Sequence, residues 1–209
     1  MNSVNSFKNN KRIILASASP RRRELLSLVT ENFEVITVDV DERAEEIRME
    51  EEGVPALKVS EGLARLKAKA VFDSLPDDAK ENTVVIGADT SVVLDNVIFG
   101  KPADREEAVN MLSVLSGHTH VVATGVAIFT GSDVNVFTEE TEVEFNPLDE
   151  QQKALIEAYV DGGSPFDKAG GYGIQDKGAL LVKCINGDYS NVVGLPVARL
   201  ARELYIMLK

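Results

Sequence analysis

"RIILASASPRRRELLSLV", residues 12–29, decides the fold. Its first residues are a short apolar run that reads as a buried strand. Ser19 is a favoured helix N-cap and Pro20 a favoured first helical residue. From Pro20 onward the spacing is that of a helix, with Leu25, Leu28 and Val29 expected on one side. A strand that runs straight into a helix sets the helix N-terminus at the carboxyl edge of a sheet, where ligands bind in open α/β sheets. The anomaly is Arg21, Arg22 and Arg23, three cations beside a helix end that is already partly positive and favours acidic neighbours.

Working outward, "FEVITV" (33–38) alternates as a strand does. "DVDERAEEIRMEEEG" (39–53) is acidic and aperiodic at first, which reads as a loop entering a helix. "PALKVSEGLARLKAKAVFDSL" (55–75) is a helix with Pro55 near its start. "NTVVIGADTSVVLDN" (82–96) reads as two strand segments meeting near Gly87 to Thr90. "DREEAVNMLSVLSG" (104–117) is a helix closed by Gly117. "HTHVVATGVAIFTGSDVNVFTEETEVEF" (118–145) is a run of strands joined by a "GSD" turn. "LDEQQKALIEAYVDGG" (148–163) is a helix, "GALLVKCING" (178–187) a strand, and "LPVARLARELYIML" (195–208) an amphipathic helix. Interspersed helices and strands with hairpin-linked strands in the middle predict an α/β fold with a mixed sheet. No repeat or interdomain linker interrupts the chain, so a single domain is expected over residues 12–209. A short flexible tail is expected over residues 1–11; its basic, Ser/Asn-rich character would also suit a transit peptide.

The 209 residues carry 22 basic and 34 acidic side chains, a net charge of −12. That balance argues against non-specific nucleic-acid binding, which is driven by Lys and Arg on phosphates. The first 23 residues hold six of the basic side chains and no acid. The remainder therefore sets 16 positive against 34 negative charges, a net of −18. Positive charge concentrated on an acidic body suits a small anion held at one spot. No apolar run approaches a membrane span. One cysteine, Cys184, permits no disulfide framework and fits the cytoplasm; its place in "LLVKCING" reads as a strand residue packing inward.

Three stretches could carry chemistry. The arginines are either a solvated helix face paired with Glu24 and other acids, or an anion site. Small residues from Ala16 to Ser19 would let a ligand reach the unpaired N–H groups of the helix start, and Arg grips phosphate oxygens with a bidentate fork. A Walker loop is absent. In "VVIGADT" (84–90), Asp89 is either a turn residue or a carboxylate emerging from a buried strand, a candidate general base or metal ligand. Mg²⁺ is commonly held by one or two carboxylates together with substrate phosphates, and Asp41 or Glu42 could supply the second. Lys101, fixed between Gly100 and Pro102, is a surface lysine or a phosphate ligand. Lys67 and Lys69 alternate with alanine, which by spacing reads as a solvent-facing stripe. In "DKAGGYGIQDKG" (167–178), a surface loop or a pocket lining, the amide of Gln175 could pair with both the N–H and the carbonyl of a uracil or thymine ring. His118 and His120 have no evident Ser or Cys partner, and the counts exclude a two-Cys or Cys/His zinc site.

"LASASPRRRELL" (15–26), "VIGADT" (85–90), "GKPADREEAVNML" (100–112) and "DKAGGYGIQDKGALLVKCINGDYSNVVGLP" (167–196), in this order and from about residue 12 to the C-terminus, resemble the Maf (septum-formation-inhibitor-like) family. The resemblance implies a twisted mixed β-sheet flanked by helices with a central cleft, similar to inosine-triphosphate pyrophosphatases. It implies a house-cleaning nucleoside triphosphate pyrophosphatase that uses a divalent cation, Mg²⁺ or Mn²⁺, and a homodimer. Arg21 and Arg22 fall on the family's arginine pair, Ser17 on its N-terminal serine, and Asp89 on its catalytic aspartate. Glu42, Lys67, Lys101 and Gln175 fall on other active-site positions, with Glu42 and Asp89 as the metal carboxylates. Thr90 and Gln175 resemble the branch that prefers dTTP and UTP over the branch acting on 7-methyl-GTP. Ser91, where an apolar residue is common, and "LDNVIFG" (94–100), where many relatives have a tighter Gly turn, depart from the family pattern. Two other readings share the motifs: a nucleotide-binding regulator of cell division without turnover, and a pyrophosphatase for modified pyrimidine nucleotides.

Overall fold

A computed structural model describes residues 11–163 and 165–209, so the expected tail lies, Lys11 apart, outside the described residues. Strand β1 (Arg12–Leu15) runs into helix α1 (Pro20–Ser27), with Ser19 accepting from the Arg22 N–H as N-cap. Leu25, Leu26 and Val29 are buried, whereas Leu28 is 72% exposed. The helix stops at Ser27, so the expected helical phase does not carry to Leu28. Strand β2 (Glu34–Val35) is shorter than "FEVITV" suggested; only two of its residues pair with β1. The acidic stretch folds into α2 (Glu42–Glu51). Asp41 caps it by accepting from the Ala44 N–H, and Arg48 pairs with Glu45 and Glu52 along its surface.

Helix α3 (Ala56–Ser74) and a single turn, α4 (Asp77–Lys80), precede β3 (Thr83–Leu94). The two strand segments expected there are one continuous strand, because β5 (Thr119–Phe129) pairs with it from Val85 to Val93 without a break. Asp95 and Asn96, both with positive φ, turn the chain into β4 (Val97–Phe99), a two-residue connection suited to the strand twist. Helix α5 (Arg105–Leu115) leads to β5, then β6 (Val134–Phe145) and α6 (Glu150–Asp161). Two short 3₁₀ turns, Ala169–Gly171 and Lys177–Leu181, precede β7 (Val182–Asn186). The chain closes with α7 (Tyr189–Val193) and α8 (Val197–Met207).

The strand order is β2-β1-β3-β5-β6-β7, with β4 also on β3. The β2–β1–β3 pairs are parallel and the rest antiparallel, so the sheet is mixed. Alternation along β3 sends Val84, Ile86 and Ala88 into a core with α1 and α8, and Val85 into a core with Ala64, Ala68 and Val71 of α3. A third core gathers α5 and α6 against Val92, Val122 and Phe145. Cys184 corrects an expectation. It is exposed, and its Sγ donates to Glu144. The first half of "GALLVKCING" is the 3₁₀ turn rather than strand, and β7 is the sheet's outermost strand. Among the described residues no helix is long and apolar enough to cross a membrane.

β1 pairs with β3 as far as Ile86, and β4 joins β3 at Val92. β5 occupies the opposite edge throughout, so both partners lie on the same edge of β3. Between them, from Gly87 to Ser91, that edge has no strand neighbour. The sheet is split there.

Candidate functional site

Asp89 and Thr90 sit in the middle of the split. Being consecutive strand residues, they face opposite sides of the sheet. Asp89 faces α3, where its Oδ1 accepts from Lys67 Nζ at 2.7 Å. Glu42, at the first turn of α2, reaches the same ammonium, also at 2.7 Å. Lys67 is therefore no member of a solvent stripe. Its side chain is 17% exposed and lies between two carboxylates, while Lys69 pairs with Asp73 on the outer face of α3. Two glycines bring α3 near enough for this contact. A Cβ at Gly87 would overlap the carbonyl of Ala64 and the side chain of Ala68, and one at Gly125 would overlap the backbone of Ser60 and Glu61. Of the two neighbouring acids, the Asp41 carboxylate caps α2 and that of Glu42 lies beside Lys67.

Thr90 faces the other side, toward α1. Arg22 is part-buried there, and its guanidinium joins three distant segments. Nε donates to the Gly194 carbonyl (2.9 Å), one terminal nitrogen to Ser17 Oγ (3.3 Å) and the other to Thr90 Oγ1 (3.0 Å). Burial pushes the Arg22 pKa down, with Asp89 acting in the opposite sense. Two of its five N–H groups remain for a ligand. Arg21 pairs with Asp167 at 3.0 Å, and Arg23 turns outward, so the run divides into two part-buried cations and one exposed. Burial pushes the Asp167 carboxyl up, but hydrogen bonds from Lys168 and Arg21 outweigh it and hold it below the usual carboxylate range.

A cleft of about 630 Å³ opens over the split. Arg21, Arg22, Glu42, Lys67, Asp89, Thr90, Lys101 and Gln175 all line it. Ser17 does not. It is 7% exposed and stands behind Arg22, whose N–H it accepts. Lys101 and Gln175 are exposed on two loops of the rim that adjoin through the Gly170 N–H and the Gly100 carbonyl. Lys168 also lines the cleft, with its side chain 13% exposed against Asp167 and Asp176. The sequence reading passed over it; the signal was its place at the head of "DKAGGYGIQDKG". His120 belongs to the core. It is fully buried, Nε2 is 2.8 Å from the Tyr172 hydroxyl, and burial pushes its pKa down to about 4, so it is neutral at ordinary pH.

Two carboxylates converging on one cation, beside part-buried guanidinium groups at a helix N-terminus, can hold a polyanion together with a hard cation. The fold and this cleft define the class: an α/β protein with a cleft lined by cations and carboxylates over a split mixed sheet. The chain belongs to the Maf family; the family described as Maf-like protein matches residues 12–207. Among curated relatives, it is 46% identical over 194 residues to a dTTP/UTP pyrophosphatase of Geobacillus sp. (strain WCH70), covering 93% of this chain and 97% of the relative. It is 48% identical over 188 residues to one of Thermosipho africanus (strain TCF52B), covering 90% and 89%. Among solved structures, the Staphylococcus aureus Ham1 protein aligns over 73% of this chain and 100% of that chain, with a TM-score of 0.44 and 16% identity.

Proposed function

We propose that this protein hydrolyses dTTP and UTP, and modified pyrimidine nucleotides of the same shape, to the monophosphate and pyrophosphate. The observation that carries the reading is Asp89, a carboxylate 15% exposed in its side chain and held by Lys67 where the cleft crosses the split edge. A protein that only bound triphosphates would use that carboxylate at most to hold a metal, whereas hydrolysis also calls for a base that takes a proton from water. This argues against a nucleotide-binding regulator without turnover.

In this reading Arg21, Arg22 and Lys101 hold the triphosphate, aided by the N–H groups of α1. Ser17 keeps the Arg22 fork in place. Asp89 orients a water and takes its proton as the oxygen attacks the α-phosphorus. The bond to the bridging oxygen breaks, pyrophosphate leaves, and the guanidinium groups stabilise its charge. Gln175 pairs with the pyrimidine edge.

A divalent cation, Mg²⁺ or Mn²⁺, fits the donor set. Glu42 and Asp89 already share one cation, the Lys67 ammonium. Among the described residues no group of three or more His, Cys, Asp or Glu could hold a metal. The two carboxylates would therefore hold it jointly with substrate phosphates, as Mg²⁺ commonly is. When bound, the cation neutralises phosphate charge and acts as a Lewis acid.

The functional unit we propose is a homodimer of one domain spanning residues 12–209, working in the cytoplasm. Sedimentation at a mass near 22.7 kDa would overturn the dimer. The activity is tested by pyrophosphate release from dTTP, UTP, CTP and methylated nucleotides with Mg²⁺ or Mn²⁺. Turnover led by dTTP and UTP is expected; release from none of them would end the reading.

A further inference from the structure

Behind Thr90 lies a chain of hydroxyls that neither the motifs nor the cleft lining points to. Thr90 and Thr124 are directly opposed on β3 and β5, with their Oγ1 atoms 3.0 Å apart. Thr124 is fully buried, and its Oγ1 is 3.0 Å from the main-chain carbonyl of Asn191 on α7. A carbonyl can only accept, so Thr124 spends its single hydrogen there. It then has only lone pairs for Thr90, and Thr90 must donate. Arg22, which can only donate, fills a lone pair of Thr90 at 3.0 Å. One lone pair of the Thr90 hydroxyl is left, and no hydrogen.

The far end of the chain is equally fixed. The Asn191 carbonyl also accepts from the Gly194 N–H at 3.0 Å, which fills its second lone pair. The Asn191 amide donates to the Val122 carbonyl (2.9 Å) and to Thr141 (3.0 Å), so the helix that carries the carbonyl is tied to the sheet. Reversal would set the Thr124 and Asn191 oxygens 3.0 Å apart with no hydrogen between them, lone pair against lone pair, and that repulsion fixes the direction of the chain.

We infer that Thr124 is a positioning residue for substrate selection. Through Asn191 and Arg22 it makes Thr90 a pure acceptor toward the cleft, so Thr90 favours a nucleoside group that donates a hydrogen bond and cannot donate to a phosphate oxygen. Two donors of the substrates in the proposed function qualify: the ring N–H of uracil or thymine, which cytosine replaces with an acceptor and which would leave Gln175 only the ring carbonyl, and a sugar hydroxyl. The inference rests on the nucleotide reading above.

Thr124→Val tests it, since the change removes the hydroxyl with little loss of volume and returns to Thr90 a hydrogen it can present to the cleft. Specificity constants are compared for UTP, CTP and 3′-deoxy-UTP in the wild type, Thr124→Val and Thr124→Ser, with a melting curve for each. If the donor is the ring N–H, the UTP/CTP ratio falls about tenfold in Thr124→Val, chiefly through KM. If it is the sugar hydroxyl, that ratio holds and the UTP/3′-deoxy-UTP ratio falls instead. Either fall supports the relay, provided Thr124→Ser restores the wild-type ratio. Both ratios unchanged in Thr124→Val, or Thr124→Ser behaving like Thr124→Val, overturns it. The same ratios are read calorimetrically as binding without turnover. A wild type that releases no pyrophosphate therefore refutes the hydrolase reading while binding still decides the relay.

Discussion

Asp89 and Thr90 show how much two adjacent side chains can divide between them. One meets Lys67 and Glu42 on the α3 side of the sheet, the other meets Arg22 on the α1 side, and both border the same opening. Asp89→Asn keeps the shape and loses the base, so kcat should fall by about 10²-fold or more, that being the usual worth of a general base. Retention of near-wild-type turnover would exclude that role. Lys67→Met removes the ammonium that now neutralises Glu42 and Asp89. Manganese titration followed by electron paramagnetic resonance should show tighter metal binding without nucleotide in this variant, because the cation that competes for the two carboxylates is gone. Gln175→Ala should flatten the preference for dTTP and UTP over CTP; an unchanged ratio means that the base is read elsewhere. At this scale the sequence was legible where a motif isolates one side chain, as with Asp89. Spacing alone did not reveal Lys67, which only the family resemblance set in the site: its alternation with Lys69 suggested one face, although on a helix residues two apart lie on different sides. Nor could it separate Asp41 from Glu42, since capping depends on where α2 begins.

Elements were read well where their hydrophobic period was long. Helices α3, α5, α6 and α8 and the β5–β6 hairpin lie close to where spacing put them. The misses came where tertiary pairing overrides local pattern: β3 reads as interrupted at Gly87, yet pairing along β5 keeps it whole. Gly87 and Gly125 are there for the close seat of α3, which is a property of the layer and not of the strand. Gly125→Val would drive a side chain into the backbone of Ser60 and Glu61. We expect a loss of about 3 kcal/mol or more in urea unfolding, as for severe overpacking. An unchanged midpoint would show that α3 can move aside.

For the molecule as a whole, the buried His120 gives folding a defined acid limit. Its folded pKa, about 4, lies below the ordinary value of 6.5 because burial disfavours the charged ring. The unfolded chain therefore takes up the proton first as pH falls. The contribution of this group is intact above about pH 6.5 and is lost progressively between 6.5 and about 4. At pH 5 the loss through this ring should be about 2 kcal/mol relative to pH 7. His120→Phe should show a correspondingly smaller drop in urea stability between those two pH values. Identical drops in both proteins would mean that the ring charges without opening the core.

The divided edge of β3 has a consequence for how such a molecule can change. The backbone under Asp89 and Thr90 is secured along its far side by β5, so it does not rely on what stands to either end of the gap. Beyond the Asp95–Asn96 reversal, β4 lends Ile98 and Phe99 to the cleft wall, so a change in this fingertip reshapes one jamb of the doorway while the threshold stays level. Swapping that fingertip between kindred chains is accordingly the gentlest way to admit a bulkier guest.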